Sequence, residues 1–562
     1  MKWSCWPSHG STAHALRKAG ARTALAVLLA VLNPFGVRDW TEARSRENWQ
    51  QLYAPYYAPS SESRQRVARD QIAIVLIDDA SRNALANRRD IDSLDIAQMI
   101  EDVIEAPGPG AAPRAVFVDL LLADAAPHAM SHKDLFDWRQ PIVDACTLAV
   151  RSKIQSPFRC LLIKVAEITA YERWKGDPKC QRNNLEKVLC IERAGGVPIL
   201  FADPAPAAGG GEGQAGETSV SRIGMRALGD VGVAVPVDVD PREYPLVRRG
   251  GVNKESLTLY PAAALYAASC EREGCAPSPI RSTAQGADWS PKFERDVDVV
   301  WGVDIPTASR DSERPFARML RRLQGDTAVC RPWPRGPWAL VRRFVQLATA
   351  GIVTPVDAAC AYTDFMPYGL LQSGITQEET RQALGGKVVL LGAHVLGDND
   401  LIVAAPYGAL PGVFLHAMAL DNLMQRGPAY PKAPVRLVPG LTLTSTNVID
   451  LAAVFGTTFG LAFLTAGITA RNDSGRRLSA AGWARRIVLT LSFVMVVFWL
   501  MFILSGGVGI MPENFNIAVV GIACVIGLGE LIAEVFKPMW NPVLARFCDA
   551  EPEPKAPGGA GT

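Results

Sequence analysis

The sequence predicts two parts: an α/β domain with a largely parallel sheet and long disulfide-bearing insertions, and an α-helical membrane anchor of four spans. Three observations predict them. Apolar runs about one bilayer long crowd the last quarter of the chain, with one more near its start. Between them, β-branched runs that are apolar on both faces alternate with segments of helical period. The same middle region holds eight of the eleven cysteines. Averages over the 562 residues hide this sorting, because 49% hydrophobic and 20% charged would suit an ordinary soluble protein. A balance of 58 Lys+Arg against 56 Asp+Glu leaves a net charge of +2. Nothing in that balance suggests a basic stripe, so no nucleic-acid partner is expected.

Residues 448–467 (VIDLAAVFGTTFGLAFLTAG), 487–507 and 517–536 each match the roughly 20 residues a helix needs to cross the hydrocarbon core. A shorter run, 23–37, follows Arg17, Lys18 and Arg22. It lacks a small-x-small cleavage site, so it reads as an uncleaved first helix rather than a signal peptide. Between the second and third helices lie Arg471, Arg476, Arg477, Arg485 and Arg486, whereas the next connection, IMPENFN, has no Lys or Arg. The positive-inside bias puts the arginine loop and both termini in the cytoplasm. Boundaries follow: 1–37 N-terminus and first helix, 38–436 exported domain, 437–536 three helices, and 537–562 a tail disordered by composition. Membrane lipid is then an obligatory surrounding.

The cysteines are consistent with export. Cys146, Cys160, Cys180, Cys190, Cys270, Cys275, Cys330 and Cys360 all fall in the exported part. An even number in an oxidising compartment suggests disulfides, and eight cysteines leave 105 connectivities open. Cys270 and Cys275 (CEREGC) can close a small loop, and the four between 146 and 190 can pair locally. CxxC pairs and nearby histidines at ligand spacing are missing, so a metal is not expected. No cofactor is expected either. Residues 211–216 match GxGxxG formally, but the flanking Pro, Ala and Ser/Thr do not supply the strand and helix that fingerprint needs.

In the exported part, 71–79 (QIAIVLIDD) reads as a buried strand, 91–104 as a helix and 113–122 (PRAVFVDLLL) as a second strand. Residues 197–201 and 386–391 read as further strands and 413–424 as a closing helix, with insertions near 146–195 and 270–375. The strings IVLIDDASRNAL, RAVFVDLLLAD, GVPILFAD, YPAAALYAA and GKVVLLGAHVLGDNDLIVAAPYGALPGVFLHAMALDNLMQ follow one another in that sequence. This succession resembles the CHASE2 sensory domain of bacterial receptors, over about residues 40–535. The last block is the most specific. Where the family has a Trp-Pro-rich segment after IDDAS, this chain has ANRRDIDSLD. The resemblance implies a periplasmic sensor held by one helix before it and three after it, in the bacterial inner membrane. The family's cytoplasmic output domain has no counterpart in 537–562.

Several residue sets are candidates for function. Asp78, Asp79, Asp119 and Asp124 are expected at or near the carboxyl ends of adjacent strands, the edge where open α/β sheets bind ligands. The plainer alternative is a helix cap by Asp79 or Ser81 and a buried hydrogen bond from Asp119. His394, Asp398, Asp400 and His416 lie in the most family-like block. A histidine there beside Asp78 or Asp119 is a candidate pH reporter, and a structural role is the alternative. Asp124, His128, His132 and Asp134 have metal-like spacing interrupted by Pro127. Within the helices, Gly456 and Gly460 form a small-residue packing motif, and Asp450, Glu530 and Glu534 are membrane acids without an evident path.

The expectation is therefore a non-enzymatic inner-membrane sensor or signal-transducing subunit. It would be homo-oligomeric and act through an unidentified membrane or cytoplasmic partner. The alternative is a self-assembling scaffold of the cell envelope.

Overall fold

A computed structural model describes most of 47–57, 68–78, 93–120, 184–203, 233–250, 256–303, 362–394 and 401–433, with a few positions outside these stretches. The chain divides into two units, Glu47–Ala433 and a second made of Met1–Arg46 with Pro434–Thr562. The four apolar runs fall in the second unit, outside the described residues but for Val488 and Ser492. Among the described residues no helix is long and apolar enough to cross a membrane.

Among the described residues the first unit is built on a six-stranded sheet whose pairings are all parallel. Its strands are β1 (Ile72–Asp78), β2 (Ala115–Asp119), β3 (Ile199–Asp203), β4 (Val233–Pro236), β9 (Asp364–Pro367) and β10 (Val388–His394). They lie in the order β4-β3-β2-β10-β1-β9. Two antiparallel hairpins, β5 (Val247–Gly250) with β6 (Ser256–Leu259) and β7 (Ile280–Thr283) with β8 (Gly286–Trp289), stand apart from it. A third hairpin, β11 (Leu401–Ala404) with β12 (Gly408–Pro411), follows β10.

Side chains on a strand alternate between faces, so a strand apolar throughout needs cover on both sides. One face of β1 presents Ala73, Val75 and Ile77 to α1 (Ser93–Glu105), where Ile96, Met99, Ile100 and Val103 recur at helical spacing. Further along the chain, α4 (Tyr368–Ser373) and α5 (Gln377–Leu384) add Tyr368, Ala383 and Leu384 to that layer. α5 starts on a capping box, in which Thr376 accepts from the Glu379 N–H and the Glu379 carboxylate accepts from the Thr376 N–H.

The opposite face is covered by α2 (Asn184–Arg193), α3 (Pro261–Glu273) and α6 (Val413–Arg426), which pack on one another and on β1, β2, β4 and β10. α6 is buried along most of its length. It comes close to the sheet because β10 carries Gly392, where a Cβ would lie 2.6 Å from the Val413 Cβ.

Two stretches that read from the sequence as insertions contribute to these layers. α2 falls inside 146–195, and β9 falls inside 270–375 as an edge strand beside β1. β4, the other edge, is a strand that the sequence pattern does not predict. Among the described residues two disulfides are present, Cys180–Cys190 and Cys270–Cys275. Cys146, Cys160, Cys330 and Cys360 lie outside the described residues, as do the GxGxxG stretch and the Gly456/Gly460 motif.

Candidate functional site

The carboxyl edge of the sheet is the edge expected to bind a ligand, and the strand order changes its composition. Asp78 and Asp119 are not on neighbouring strands, because β10 runs between β1 and β2. Asp78 is instead in register with His394, and Asp119 with Gly392. Asp78 also has a local task. Its Oδ1 accepts the Ser81 N–H at 2.7 Å and the Ser81 hydroxyl, while the Gly369 N–H donates to Ser81 Oγ at 2.9 Å. That arrangement ties the end of β1 to the start of α4. His394 is exposed. Asp79, Asp124, His128, His132, Asp134, Asp398 and Asp400 lie outside the described residues. Among the described residues no three His, Cys, Asp or Glu side chains gather closely enough to hold a metal.

The structure does bring Asp119 and His416 together. His416 Nε2 lies 3.7 Å from Asp119 Oδ2. The other ring nitrogen, Nδ1, is 2.8 Å from the Tyr244 hydroxyl, which itself accepts the Ala262 N–H at 3.1 Å. The Tyr244 O–H can donate to Nδ1, and in that tautomer the proton of the neutral ring sits on Nε2, towards Asp119. Phe117 and Tyr244 close over the ring edge-on, at centroid distances of 5.1 and 5.5 Å. Burial pulls the His416 pKa down to about 3. The ring therefore stays neutral between pH 5 and 8, and its contact with Asp119 is not an ion pair.

A second polar cluster, which the sequence reading does not single out, lies further along α6. Asp421 is 0% exposed, and its Oδ2 accepts the Tyr57 hydroxyl at 2.6 Å. Tyr57 packs edge-on against Tyr362, and the Arg69 guanidinium sits over the Tyr362 ring. One turn on, Arg426 donates to the Tyr53 hydroxyl at 2.9 Å. Asn422, also 0% exposed, accepts the Val300 N–H at 3.2 Å and donates to the Val300 and Met418 carbonyls at 3.0 and 2.7 Å. Burial, the largest influence, pushes the Asp421 carboxyl up to about 7, against the opposing effects of the Tyr57 hydrogen bond and Arg69. Burial and the Asp421 charge also raise Tyr57 well above the usual tyrosine range. The available signal is the run VFLHAMALDNLM, in which His416, Asp421 and Asn422 interrupt an otherwise apolar helix.

The geometry is thus a layered α/β unit whose last helix carries three buried polar anchors. The CHASE2 domain model matches residues 23–457, well over half of the chain. The chain belongs to the CHASE2 domain family. CHASE2 is a family of sensory extracellular domains. The match takes in the first apolar run together with the whole described α/β unit of this CHASE2 chain. No curated protein and no solved structure matches it.

Proposed function

We propose that this CHASE2 chain is a sensor or signal-transducing subunit of the bacterial inner membrane. Residues 38–436 read a periplasmic cue, and a partner protein carries the output, without chemistry by this chain. The observation that supports the reading is the convergence of contacts on α6. That helix binds the segment entering the unit through Tyr53 and Tyr57, and the sheet through the Asp119–His416 contact. It binds the 297–303 segment through Asn422, and it leads directly to Ala433, where the chain leaves the unit. A shift in α6 would therefore affect the entering and departing segments together. Two disulfides suit an oxidising compartment.

The test is photocrosslinking in living cells from positions in the arginine loop at 471–486, on the full chain at native abundance. The expected result is a specific partner whose output changes when this chain is deleted. Recovery of no partner, together with a large homopolymer in electron micrographs that persists without residues 537–562, would replace this reading with the envelope-scaffold one.

A further inference from the structure

The contact between Tyr57 and Asp421 joins two segments that are far apart in sequence but both close to the chain's passages between the two units. Tyr57 follows the entry at Glu47, and Asp421 precedes the exit at Ala433. At its centre is a carboxyl group removed from water. The side chain is 0% exposed, and Oδ1 has no hydrogen-bond partner among the described residues. The groups facing it are Tyr57, Arg69 and Asp70, with Tyr362 and Arg426 facing Tyr57. One hydroxyl donor and one neighbouring cation do not replace the hydration of a fully buried carboxylate. Asp70 works against the ionised form, and Arg69 is shared between Asp70, at 3.8 Å, and the Tyr362 ring.

We propose that Asp421 is a proton-binding site and that the extracytoplasmic proton is a cue this chain reads, through closure of the 47–57 segment onto α6. The proposal rests on the sensor reading above and names its ligand. With the carboxyl protonated, the segment closes at little electrostatic cost. Once ionised, the carboxylate gains by being hydrated, and it reaches water when 47–57 lifts away. The stronger hydrogen bond from Tyr57 to the charged form opposes this but satisfies only one of the two oxygens. A proton bound more tightly by the closed state shifts the population towards closure as pH falls. The carboxyl's position near 7 places the change close to neutrality.

The experiment is hydrogen exchange on the full chain in lipid nanodiscs from about pH 5 to 8.5, corrected for intrinsic exchange rates and read on peptides within 47–57. The wild type is expected to lose roughly tenfold in protection for each pH unit between about 5 and 7, levelling off above 7. Asp421→Asn should be flat across that range. Tyr57→Phe removes a bond that favours the ionised form and should move the midpoint upward. Asp296 is also pushed up, to about 6, by burial and by Glu243. The step is therefore assigned by comparing the variants. A flat wild-type profile overturns the proposal, and so does an unchanged step in Asp421→Asn. Because the readout needs no partner, either result leaves the sensor reading standing; that reading falls only with the partner experiment.

Discussion

Gly392→Ala tests how closely α6 must approach the sheet. The new methyl carbon would stand 2.6 Å from Val413 Cβ, 2.7 Å from Cγ1 and 3.0 Å from Cγ2, whereas carbon atoms pack at about 3.5–4.0 Å. Relief requires the first turn of α6 to move out by about 1 Å. Overpacking of this kind costs about 1–3 kcal/mol, and the reduced freedom of the unfolded chain offsets about 0.4–1 kcal/mol of it. A net loss of about 1–2 kcal/mol is expected. Val413 is 1% exposed, so Val413→Gly alone should cost about 2–3 kcal/mol in lost burial. In the double variant the alanine methyl enters the space the valine left. Its cost should therefore fall short of the sum of the two by at least about 1 kcal/mol. Denaturant midpoints of the full chain in detergent, followed by tryptophan fluorescence, give all three values. Simple additivity, or a Gly392→Ala variant within about 0.5 kcal/mol of wild type, would refute the close-packing argument.

Further predictions concern the polar anchors and the covalent links. His416 has a folded pKa depressed to about 3, so it contributes stability above its unfolded value of 6.5 that is lost as pH falls towards 3. His416→Gln should therefore gain about 1.4 kcal/mol relative to wild type for each pH unit lowered between about 6 and 4, measured by unfolding at each pH; a constant difference would contradict the buried, neutral assignment. Asn422→Asp turns a donor towards the Val300 and Met418 carbonyls into a buried charge, and should cost about 3 kcal/mol or more, well beyond Asn422→Ala. Thr376→Ala should lower stability by about 1 kcal/mol through loss of the α5 cap, with little effect on exchange in 47–57. Peptide mapping without reductant should recover Cys180 joined to Cys190 and Cys270 joined to Cys275 in protein from the membrane; free thiols at these positions would argue against an oxidising location.

How much of the fold is legible in the sequence depends on how much information lies in one segment. β1, β2, β3 and β10 are apolar on both faces and α1 has helical period, so each is legible from local pattern. β4 and β9 are four residues long, end in proline and sit at the edges, too short to show a period. Strand order is a long-range property, and without it Asp78 and Asp119 look like neighbours although β10 separates them. The same limit applies to the site. Asp119 and His416 are legible as polar residues in apolar surroundings, but Tyr244, which orients the ring, comes from a segment with no signal of its own. The Tyr57–Asp421 bond joins residues 364 positions apart, and nothing near Tyr57 announces it.

The place of β10 also bears on how the chain is made. β1 and β2 are synthesised early, yet their common neighbour comes from 388–394, after most of the unit has emerged. Until then each presents an unpaired inner edge, the kind of surface that recruits other strands. A sheet completed by its late central strand closes slowly, because the long intervening chain must be organised first. A chain ending between β9 and β10 would hold β4-β3-β2 apart from β1-β9, two halves with open inner edges rather than a shorter version of the fold.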